Sequence, residues 1–399
     1  MGKIRTLLFS TLYPSGVRPV HGIFVETRLR ELLKTGEVET RVVAPVPWFP
    51  FRGKRFGEYG KFAETPGHEI RNGIEVFHPR YFLLPRIGMN MAPFSMVRAA
   101  LPAVERLLAG GFDFDLIDAH YYYPDGVAAG LIAERLGKPF VVTARGTDLN
   151  LIADHARPRS LILDTAARAS ASIGVSRALM DRLAGLGADP GKLHVLRNGV
   201  DLERFQPVDR DEARRRLGLP PGARILLSVG LLVEHKGQRI AVEAMTRLRD
   251  SLLVIVGTGR ERPRLEKMAA DLKVADRVRF AGQVPNGQLK TWYGAADALV
   301  LCSSREGWAN VLLESMACGT PVVASDIPGT REVVRSEVAG GLVAERTADA
   351  LAGAVEKLFR GPPARMQVRA YAENFAWAST TRGQLDIFRA ASALPRKHH

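Results

Sequence analysis

Short, continuous apolar runs alternate with helical segments along the whole chain. Each run is rich in Val, Ile and Leu, and the segments between them are rich in Ala, Leu and Arg. Strands that are apolar throughout are typical of parallel sheets covered by helices on both faces. The predicted strands form two series, the first at 4–10, 40–45, 116–120, 139–144, 172–176 and 192–198, and the second at 224–230, 251–257, 277–282, 298–304 and 321–325.

The two series predict two α/β domains. Between them, the stretch QPVD at 206–209, a charged helix and the turn LPPGA form the best linker candidate. We therefore predict a first domain at 1–205 and a second at 206–375, followed by a final helix within 376–399. A length of 399 residues is sufficient for two domains that each bury a core.

The composition is that of an ordinary globular protein, with 46% apolar and 25% charged residues. Two cysteines cannot form a disulfide framework, and they fit a reduced compartment. The N-terminal segment MGKIRTLLFSTLYPS is interpreted as a first buried strand rather than a signal peptide. No apolar stretch reaches the roughly 18 residues that a membrane-spanning helix needs, so we expect no segment to span a bilayer. The expected location is cytoplasmic.

Basic residues outnumber acidic ones by 56 to 42, which gives a net charge of +14. This excess predicts attraction to an anionic partner, such as a phosphorylated substrate or an acidic membrane face. No nucleic acid is expected, because the arginines are dispersed and no nucleic-acid-binding motif is present.

Segment 79–110 breaks the α/β pattern, since it is apolar, contains Met and Pro, and carries Arg80, Arg86, Arg98 and Arg106. It is either a helix that buries an apolar stripe, which we favour, or a surface that touches a membrane or a lipid acceptor.

The most informative stretch is SSREGWANVLLESMACGTPVVAS at 303–325. Glu306 follows a predicted strand, and Glu314 lies about two turns into a predicted helix from Asn310 to Ala317. The helix N-terminus between the two glutamates presents backbone N–H groups and the positive end of the helix dipole, which suits a phosphate. Each carboxylate could accept hydrogen bonds from hydroxyls on one side of a diphosphate, as in a nucleotide-sugar. Two exposed glutamates near a helix start are the alternative explanation.

This stretch resembles the Glu-x7-Glu signature of the retaining glycosyltransferases of family 4, the glycosyl transferases group 1 with the GT-B fold. The segments ASIGVSRALMDRLAGLGADPGKLHVLRNGVDLERFQP (171–207) and LLSVGLLVEHKGQRIAVEA (226–244) also resemble that family. The resemblance covers essentially the whole chain. It implies two Rossmann-like, doubly wound domains that face a central cleft, with the last helix crossing back to the N-terminal domain.

The resemblance also implies roles for individual donor-binding residues. In the family the first glutamate, here Glu306, binds the hydroxyls of the donor sugar, and the second, here Glu314, binds the ribose. Lys236 matches the lysine that contacts the diphosphate, where its ammonium would stabilise the charge on the departing phosphate. Further donor contacts are implied for Gly22, Gly282, Val284, Gly307, Asn310 and Val311.

The chain departs from the family pattern at Leu231, where many members carry an arginine. One of the two expected diphosphate cations is therefore missing. Arg260, in the glycine turn VGTGR at 256–260, is our candidate to replace it.

In the first domain, His120, Arg145 and Asp148 follow predicted strands, where ligands of doubly wound sheets bind. His120 matches a family His near the reaction centre, and with Lys236 and Glu306 it completes the predicted catalytic set. We expect it to position the sugar, not to act as a nucleophile. Arg145 and Asp148 are candidates to line the acceptor pocket, with a salt-bridged pair that touches no substrate as the alternative.

The family chemistry is transfer of a hexose from a nucleoside diphosphate sugar to an acceptor hydroxyl, with retention at the anomeric carbon and without a metal ion or other cofactor. The basic charge and segment 79–110 favour a lipid-linked or saccharide acceptor in cell-surface polysaccharide or glycolipid synthesis. The protein would then be peripheral on the inner face of the membrane. A soluble acceptor is one alternative, and a non-catalytic protein that binds nucleotide-sugars or polyanions on the same scaffold is another.

Overall fold

The computed structural model describes residues 2–83 and 88–393, which form two compact units. One unit contains the described residues up to Arg197 together with those from Ser379 onward, and the other contains Asn198–Ala378. Each unit has helices and a mainly parallel sheet, so the prediction of two α/β domains is confirmed. Arg86 and the last residues of the predicted final segment, 394–399, lie outside the described residues.

The boundary between the units lies at 197/198, whereas the sequence pattern suggested 205/206. Residues between these positions bond within the second unit. The backbone N–H of Val200 donates to the carbonyl of Phe375 at 2.9 Å, and the ring of Phe205 packs edge-on against Tyr293 with the centroids 6.0 Å apart. The turn signals in the sequence therefore begin a few residues after the change of unit.

Strands of the first unit form one large sheet and one small one. The strands are β1 (Ile4–Phe9), β2 (Val38–Val43), β3 (Val46–Pro47), β4 (His68–Arg71), β5 (Ile74–Phe77), β6 (Arg80–Tyr81), β7 (Leu116–His120), β8 (Phe140–Ala144), β9 (Ala171–Gly174) and β10 (Leu193–Val195). Among the described residues, the large sheet has the order β10-β9-β8-β7-β1-β2-β5-β4, and β3 pairs with β6 separately. Only the β4–β5 pair of the large sheet is antiparallel. Chain order reverses between β1 and β7, so the loops that follow these two strands are neighbours.

The helices of the first unit cover this sheet. The longest of them buries Met96, Ala100 and Val104 along one stripe, which confirms the favoured interpretation for the helical part of segment 79–110. The residues just before and at its start, Met91 and Phe94, are exposed. The helices are α1 (Ile23–Leu33), α2 (Gly57–Glu64), α3 (Ala92–Ala109), α4 (Val127–Leu136), α5 (Thr147–Asn150), α6 (Ala156–Arg168) and α7 (Arg177–Gly185).

The second unit is a fully parallel sheet with helices around it. Its strands are β11 (Arg224–Val229), β12 (Ser251–Val256), β13 (Val278–Gly282), β14 (Ala298–Leu301), β15 (Val322–Ser325) and β16 (Gly340–Val343). They are ordered β13-β12-β11-β14-β15-β16, the order of a doubly wound nucleotide-binding sheet. The helices are α8 (Arg210–Leu217), α9 (Gln238–Ala244), α10 (Arg262–Asp271), α11 (Leu289–Ala295), α12 (Asn310–Ala317), α13 (Pro328–Arg331), α14 (Ala348–Arg360) and α15 (Arg365–Glu373).

Most of the last described helix belongs to the first unit. Helix α16 spans Trp377–Ser392, and its residues from Ser379 onward are part of that unit. Its side chains Leu385, Phe388 and Ala391 are buried in one hydrophobic cluster of the first unit. The other buried members of this cluster are Leu32, Val38, Leu116, Val141 and Ala171. The core of the first unit is therefore completed by residues from both ends of the sequence.

Candidate active site

The sheet of the second unit brings Lys236 and Glu306 together. Chain order reverses between β11 and β14, and ligands of such sheets bind beyond the carboxyl ends of the strands at this point. Lys236 follows β11 and Glu306 follows β14. Lys236 Nζ donates to Glu306 Oε1 at 2.7 Å, and Ser303 Oγ donates to the same oxygen at 2.6 Å. Two of the predicted catalytic residues are thus in direct contact.

Two glycines allow the backbone to approach this pair closely. Gly237, directly after Lys236, has a φ of +70°, and a Cβ there would collide with the carbonyl oxygen of Cys302. Gly329, in α13, would place a Cβ 2.5 Å from the carbonyl oxygen of Glu306. A larger residue at either position would displace the backbone that carries the lysine or the glutamate.

Glu314 lies in α12, whose bounds Asn310–Ala317 match the predicted helix. Its Oε2 accepts a hydrogen bond of 2.7 Å from the hydroxyl of Tyr293, which is fully buried. Burial raises the pKa of Glu314 to about 6, and the Tyr293 hydrogen bond and the charge of Arg204 oppose that rise. Glu314 therefore titrates close to neutral pH.

The loop from Glu306 leads directly into the N-terminus of α12. The residue before the helix is Ala309, whose side chain cannot cap it, and the positive end of the helix dipole lies there. Asn310 Oδ1 accepts a hydrogen bond from Asn198 Nδ2 at 3.2 Å. Gly307 and Val311, which were predicted to contact the donor, are both partly exposed in this stretch.

Arg260 lies in a glycine turn that packs against the loop after β11. A Cβ at Gly259 would collide with the carbonyl oxygen of Leu232. The turn therefore packs closely against the residue that follows Leu231. Leu231 itself is 62% exposed, and Arg260 is exposed as well. Arg260 therefore lies close to the position where many family members carry the missing arginine.

Nearby positive charges contribute to a lowered pKa of His235. Burial lowers its pKa, the charges of Lys236 and Arg305 lower it further, and Arg260 adds a smaller effect in the same direction. Arg260 therefore shares the electrostatic environment of Lys236.

Gly282 and Val284, which were predicted to contact the donor, lie at and just after the end of β13. Gly282 is the last residue of β13, has a φ of +74° and accepts a hydrogen bond of 2.8 Å from the backbone N–H of Gly257. Val284 follows two residues later and is partly exposed. Both belong to the same sheet edge as Lys236 and Glu306 because all the strands are parallel.

In the first unit, His120 is buried at the end of β7. Its Nε2 lies 3.1 Å from Asp118 Oδ2, and the guanidinium of Arg145 contacts its Nδ1. A guanidinium can only donate, so Nδ1 accepts and the ring proton is on Nε2, facing Asp118. Burial lowers the pKa of His120 to about 4, and the charge of Asp118 opposes that shift while that of Arg145 adds to it. The imidazole is therefore neutral at physiological pH. Direct contact with the sugar stays a prediction, since both ring nitrogens already contact protein groups.

Asp148 has a structural role in the loop after β8 that its position in the sequence does not predict. Its buried carboxylate accepts hydrogen bonds from the backbone N–H groups of Tyr122, Arg145 and Gly146, at 2.8, 3.1 and 2.7 Å. It thus fixes the backbone of the loop that carries Arg145. The acceptor-pocket role of Arg145 and Asp148 stays a prediction.

Gly22 lies next to the same region. It precedes α1 with a φ of +64°, and a Cβ there would collide with the carbonyl oxygen of Leu12 in the loop after β1. Ser10, at the start of that loop, donates to the backbone carbonyl of His120 at 2.9 Å. The loop after β1, which packs against Gly22, is therefore hydrogen-bonded to the backbone of His120 where the chain order of the sheet reverses.

Several residue types that could suggest other chemistry have structural roles here. Asp115 accepts from the backbone N–H of Arg5 at 2.8 Å, and Asp113 pairs with Lys138. Cys302 is buried, and burial raises the pKa of its thiol to about 12. Within the described part of the chain, no group of three or more His, Cys, Asp or Glu side chains could hold a metal ion. Among residues 2–83 and 88–393, no helix is both long and apolar enough to cross a bilayer.

Comparison with known proteins identifies the class. Residues 209–375 match the family model described as glycosyl transferases group 1, and residues 24–204 match that of glycosyltransferase family 4. The chain is 31% identical over 360 residues to TuaC of Bacillus subtilis, named as a teichuronic acid biosynthesis glycosyltransferase, with 89% of both chains covered. It is 35% identical over 304 residues to a D-inositol 3-phosphate glycosyltransferase of Frankia alni, covering 70% of this chain and 74% of the relative.

Solved structures agree with this assignment at the level of the fold. Sucrose-phosphate synthase from Thermosynechococcus elongatus has a TM-score of 0.79 at 21% identity, covering 97% of this chain and 98% of that one. Anabaena HepE in complex with UDP-glucose has a TM-score of 0.73 at 19% identity, covering 98% and 99%. The predicted GT-B fold with two Rossmann-like domains is confirmed, and the protein is a glycosyltransferase. The chain belongs to glycosyltransferase family 4, within the glycosyl transferases group 1.

Proposed function

We propose that this glycosyltransferase moves a hexose from a nucleoside diphosphate sugar to an acceptor hydroxyl, with retention at the anomeric carbon and without a metal ion. The observation that carries the proposal is the contact between Lys236 Nζ and Glu306 Oε1, 2.7 Å apart at the reversal point of the second sheet. A cation for the diphosphate and an acceptor for sugar hydroxyls are thereby adjacent, a few residues before the N-terminus of α12.

The chemistry follows from the charges at this site. As the bond from the anomeric carbon to the phosphate oxygen breaks, negative charge grows on the diphosphate. Lys236 and the positive end of the α12 dipole stabilise that charge. The acceptor oxygen bonds to the same face of the anomeric carbon and gives its proton to the leaving phosphate. The products are the glycoside and the nucleoside diphosphate, and no side-chain base is required.

The donor proposal has support from a structural neighbour. HepE from Anabaena was solved with UDP and with UDP-glucose, at 19–20% identity to this chain and with the same fold. A uridine diphosphate sugar is therefore the first donor to test. In our proposal Glu314 accepts hydrogen bonds from the ribose and Glu306 from the sugar.

For the acceptor, we propose a saccharide or lipid-linked intermediate of cell-surface polysaccharide or glycolipid synthesis. The names of the relatives support an anionic acceptor, because they refer to teichuronic acid and to an inositol phosphate. The net charge of +14 suits such a partner. We further propose a cytoplasmic location with peripheral attachment to the membrane.

The test is a thermal-shift panel of UDP, GDP and ADP with their sugars, followed by a transfer assay. A ligand at a hundred times its dissociation constant should stabilise the protein by about 2.7 kcal/mol. Glu314→Ala should reduce this shift. Glu306→Gln should retain most of it and lower turnover by roughly 10²- to 10³-fold, because a contact that strengthens in the transition state is lost.

Glu356→Gln, which changes an exposed carboxylate on α14, is the matched control and should behave as wild type. Donor binding without transfer or hydrolysis across a broad acceptor panel would favour the non-catalytic alternative.

A further inference from the structure

Among residues 2–83 and 88–393, the exposed Trp, Tyr and Phe side chains are confined to one segment of the first unit. Trp48, Phe51 and Phe82 are 51%, 55% and 58% exposed, and Tyr59 and Phe94 are exposed as well. Within the described part of the chain, every exposed aromatic side chain lies between residues 48 and 94. A cluster of this kind is unusual for a surface that only faces water.

Two hydrogen bonds bring the backbones of Trp48, Phe82 and Phe94 close together. The backbone N–H of Trp48 donates to the carbonyl of Tyr81 at 2.7 Å, which brings Trp48 next to Phe82. Ser95 Oγ, in the first turn of α3, donates to the carbonyl of Phe82 at 2.7 Å. Phe94, the neighbour of Ser95, therefore lies at the same edge.

Contacts between aromatic rings fix the positions of Phe51 and Tyr59. The ring of Phe49 packs against those of Phe51, Phe56 and Tyr59, with centroids 5.9, 5.5 and 5.3 Å apart. Phe51 also stacks on Phe56 at 5.4 Å. Phe49 and Phe56 are partly buried, so they hold the exposed rings of Phe51 and Tyr59 in place.

The same segment carries an excess of positive charge. Between Trp48 and Glu64 the basic side chains Arg52, Lys54, Arg55 and Lys61 are all exposed, against the two acids Glu58 and Glu64. Arg98 lies four residues after Phe94, on the same face of α3, and is exposed too. We call the basic side chains Arg52, Lys54, Arg55, Lys61 and Arg98, together with the exposed rings of Trp48, Phe51, Tyr59, Phe82 and Phe94, the aromatic–basic patch.

We propose that the aromatic–basic patch docks the first unit on an anionic lipid bilayer. Trp, Tyr and Phe rings favour the level of the lipid headgroups, and exposed Lys and Arg are attracted to anionic lipid phosphates. This inference deepens the proposed function and rests on its membrane attachment, because it names the surface at which a lipid-linked acceptor would be met.

Charge complementarity favours a bilayer over a second copy of the chain. In a two-fold contact the same patch faces itself, so Arg52, Lys54 and Arg55 would lie opposite like charges. An anionic bilayer neutralises these charges while it covers the rings.

Trp48 provides a direct probe in the unmodified protein. All four tryptophans lie in the described residues, and Trp292, Trp308 and Trp377 are buried. With vesicles that contain phosphatidylglycerol, we expect a blue shift of the emission and protection of Trp48 from acrylamide quenching. Vesicles of phosphatidylcholine alone should give neither change, and about 0.5 M salt should weaken the effect by screening. The variant Trp48→Phe should lose the blue shift and still sediment with the anionic vesicles.

Charge-matched variants separate the patch from the overall charge. The triple variant Arg52→Glu, Lys54→Glu, Arg55→Glu should lower the fraction bound to anionic vesicles by about tenfold or more, since attraction becomes repulsion at the surface. The control triple, with Arg215→Glu, Arg264→Glu and Lys267→Glu, changes the net charge equally on exposed sites of the second unit and should bind nearly as wild type.

Each other outcome overturns the proposal. Equal losses in the two triple variants would mean that net charge alone drives binding. Protection of Trp48 by a soluble saccharide, or by raised protein concentration without vesicles, would assign the patch to a glycan or to a second copy. Thermal-shift binding of the nucleotide-sugar and transfer to a soluble acceptor should be unchanged in the Arg52/Lys54/Arg55 variant. An unshifted Trp48 emission with intact transfer would therefore refute the docking surface and leave the proposed transferase chemistry standing.

Discussion

Glu306 and Glu314 are the same type of residue in different surroundings. Glu306 accepts from an ammonium and from a hydroxyl on one oxygen, whereas Glu314 accepts from a buried phenol. Burial raises the pKa of Glu314 to about 6, and the hydrogen bond from Tyr293 opposes that rise without cancelling it. The second glutamate of the signature therefore changes charge near pH 6.

This titration predicts a pH-dependent affinity for the donor. If ionised Glu314 accepts from the ribose hydroxyls, affinity for a nucleoside diphosphate sugar should fall by up to about tenfold between pH 6 and pH 5. The donor itself carries no group that titrates in that range. Calorimetric titration between pH 5 and 7.5 measures the effect, and Glu314→Gln should give a weak, flat profile. A wild-type affinity that is constant over this range would exclude Glu314 from the ribose contact.

The same shift affects folding, with a defined sign. Because the pKa is raised from 4.5 to about 6 in the folded protein, the native state binds more protons between these values. The contribution of Glu314 to stability should therefore decrease as pH rises through this window, by at most about 2 kcal/mol. Urea unfolding of the wild type and of Glu314→Gln, compared at pH 4.5 and 6.5, measures this difference.

Arg260 is the second residue with a specific prediction. If it replaces the cation that is missing at Leu231, Arg260→Ala should lower kcat/KM by roughly 10- to 100-fold, since a charge on the diphosphate loses one partner. The unfolding temperature should change little, because the side chain is exposed. Arg264→Ala, an exposed arginine on α10, is the matched control. An unchanged kcat/KM for Arg260→Ala would show that Arg260 does not replace the missing diphosphate cation.

Among the elements, the apolar strands and α12 could be predicted from the sequence because their signals are local. The hairpin of β4 and β5 was missed, although Asn72-Gly73 at its turn is a recognisable signal and both residues have positive φ. Its strands are short and partly exposed, so they lack the continuous apolar pattern on which the prediction depended. Strand β16 begins with two glycines and was missed for the same reason.

The partners of the two glutamates show a second limit of sequence reasoning. Lys236 and Glu306 could be identified by motif, and the parallel sheet brings their loops together. Tyr293 could not, because it precedes Glu314 by two elements and meets it only through the packing of α11 against α12. Ser303 lies within the motif at 303–325, but no pattern distinguishes it from the adjacent Ser304.

The close approach of α13 to Glu306 predicts the effect of one methyl group. Gly329→Ala would place a Cβ 2.5 Å from the Glu306 carbonyl oxygen, so the loop must shift. Since small misplacements of a group that positions the substrate are costly, we expect turnover to fall by about 10²-fold if Glu306 contacts the sugar, while the second unit stays folded. Steady-state kinetics and thermal unfolding measure the two effects.

The control for this substitution is Gly353→Ala in α14, where a Cβ would meet nothing within 4 Å. It should keep full turnover and raise stability by roughly 0.5–1 kcal/mol, because alanine favours a helix over glycine. Full activity in Gly329→Ala would show that the position of the Glu306 backbone is not critical.

At the scale of the whole molecule, a buried hydrogen-bond chain joins distant parts of the first unit. Arg28 Nε donates to Gln384 Oε1 at 2.7 Å, and Gln384 Nε2 donates to Asp118 Oδ2 at 3.2 Å. The same Asp118 oxygen lies 3.1 Å from His120 Nε2. Helix α16 is thereby connected to the histidine through one carboxylate. No local pattern could have predicted this, since Gln384 is 266 residues away from Asp118.

This connection predicts that a substitution in the last helix affects the site of the first unit. Gln384→Leu would leave Arg28 Nε and one bond of Asp118 unsatisfied, at a cost of about 1–3 kcal/mol in the free energy of unfolding. We expect turnover to fall as well, because Asp118 loses a group that orients it toward His120. Donor affinity should be unchanged, since Lys236, Glu306 and Glu314, which we propose to contact the donor, belong to the second unit.

The control is Arg382→Leu, an exposed position on the same helix, which should leave stability and turnover near wild type. Chemical denaturation, turnover and the thermal shift with the nucleotide-sugar are the measurements. Loss of turnover with full stability in both variants would contradict a role for the hydrogen-bond chain.

The return of α16 to the first unit has a consequence for protein synthesis. On the ribosome, the surface of Leu32, Leu116 and Val141 emerges early, whereas Phe388 and Leu385, which cover it, emerge after the whole of Asn198–Ala378. At ordinary rates of translation, synthesis of Asn198–Ala378 takes roughly 10 to 35 seconds. The nascent chain thus completes its second unit before its first, and the apolar surface of the first unit stays uncovered until α16 has been synthesised.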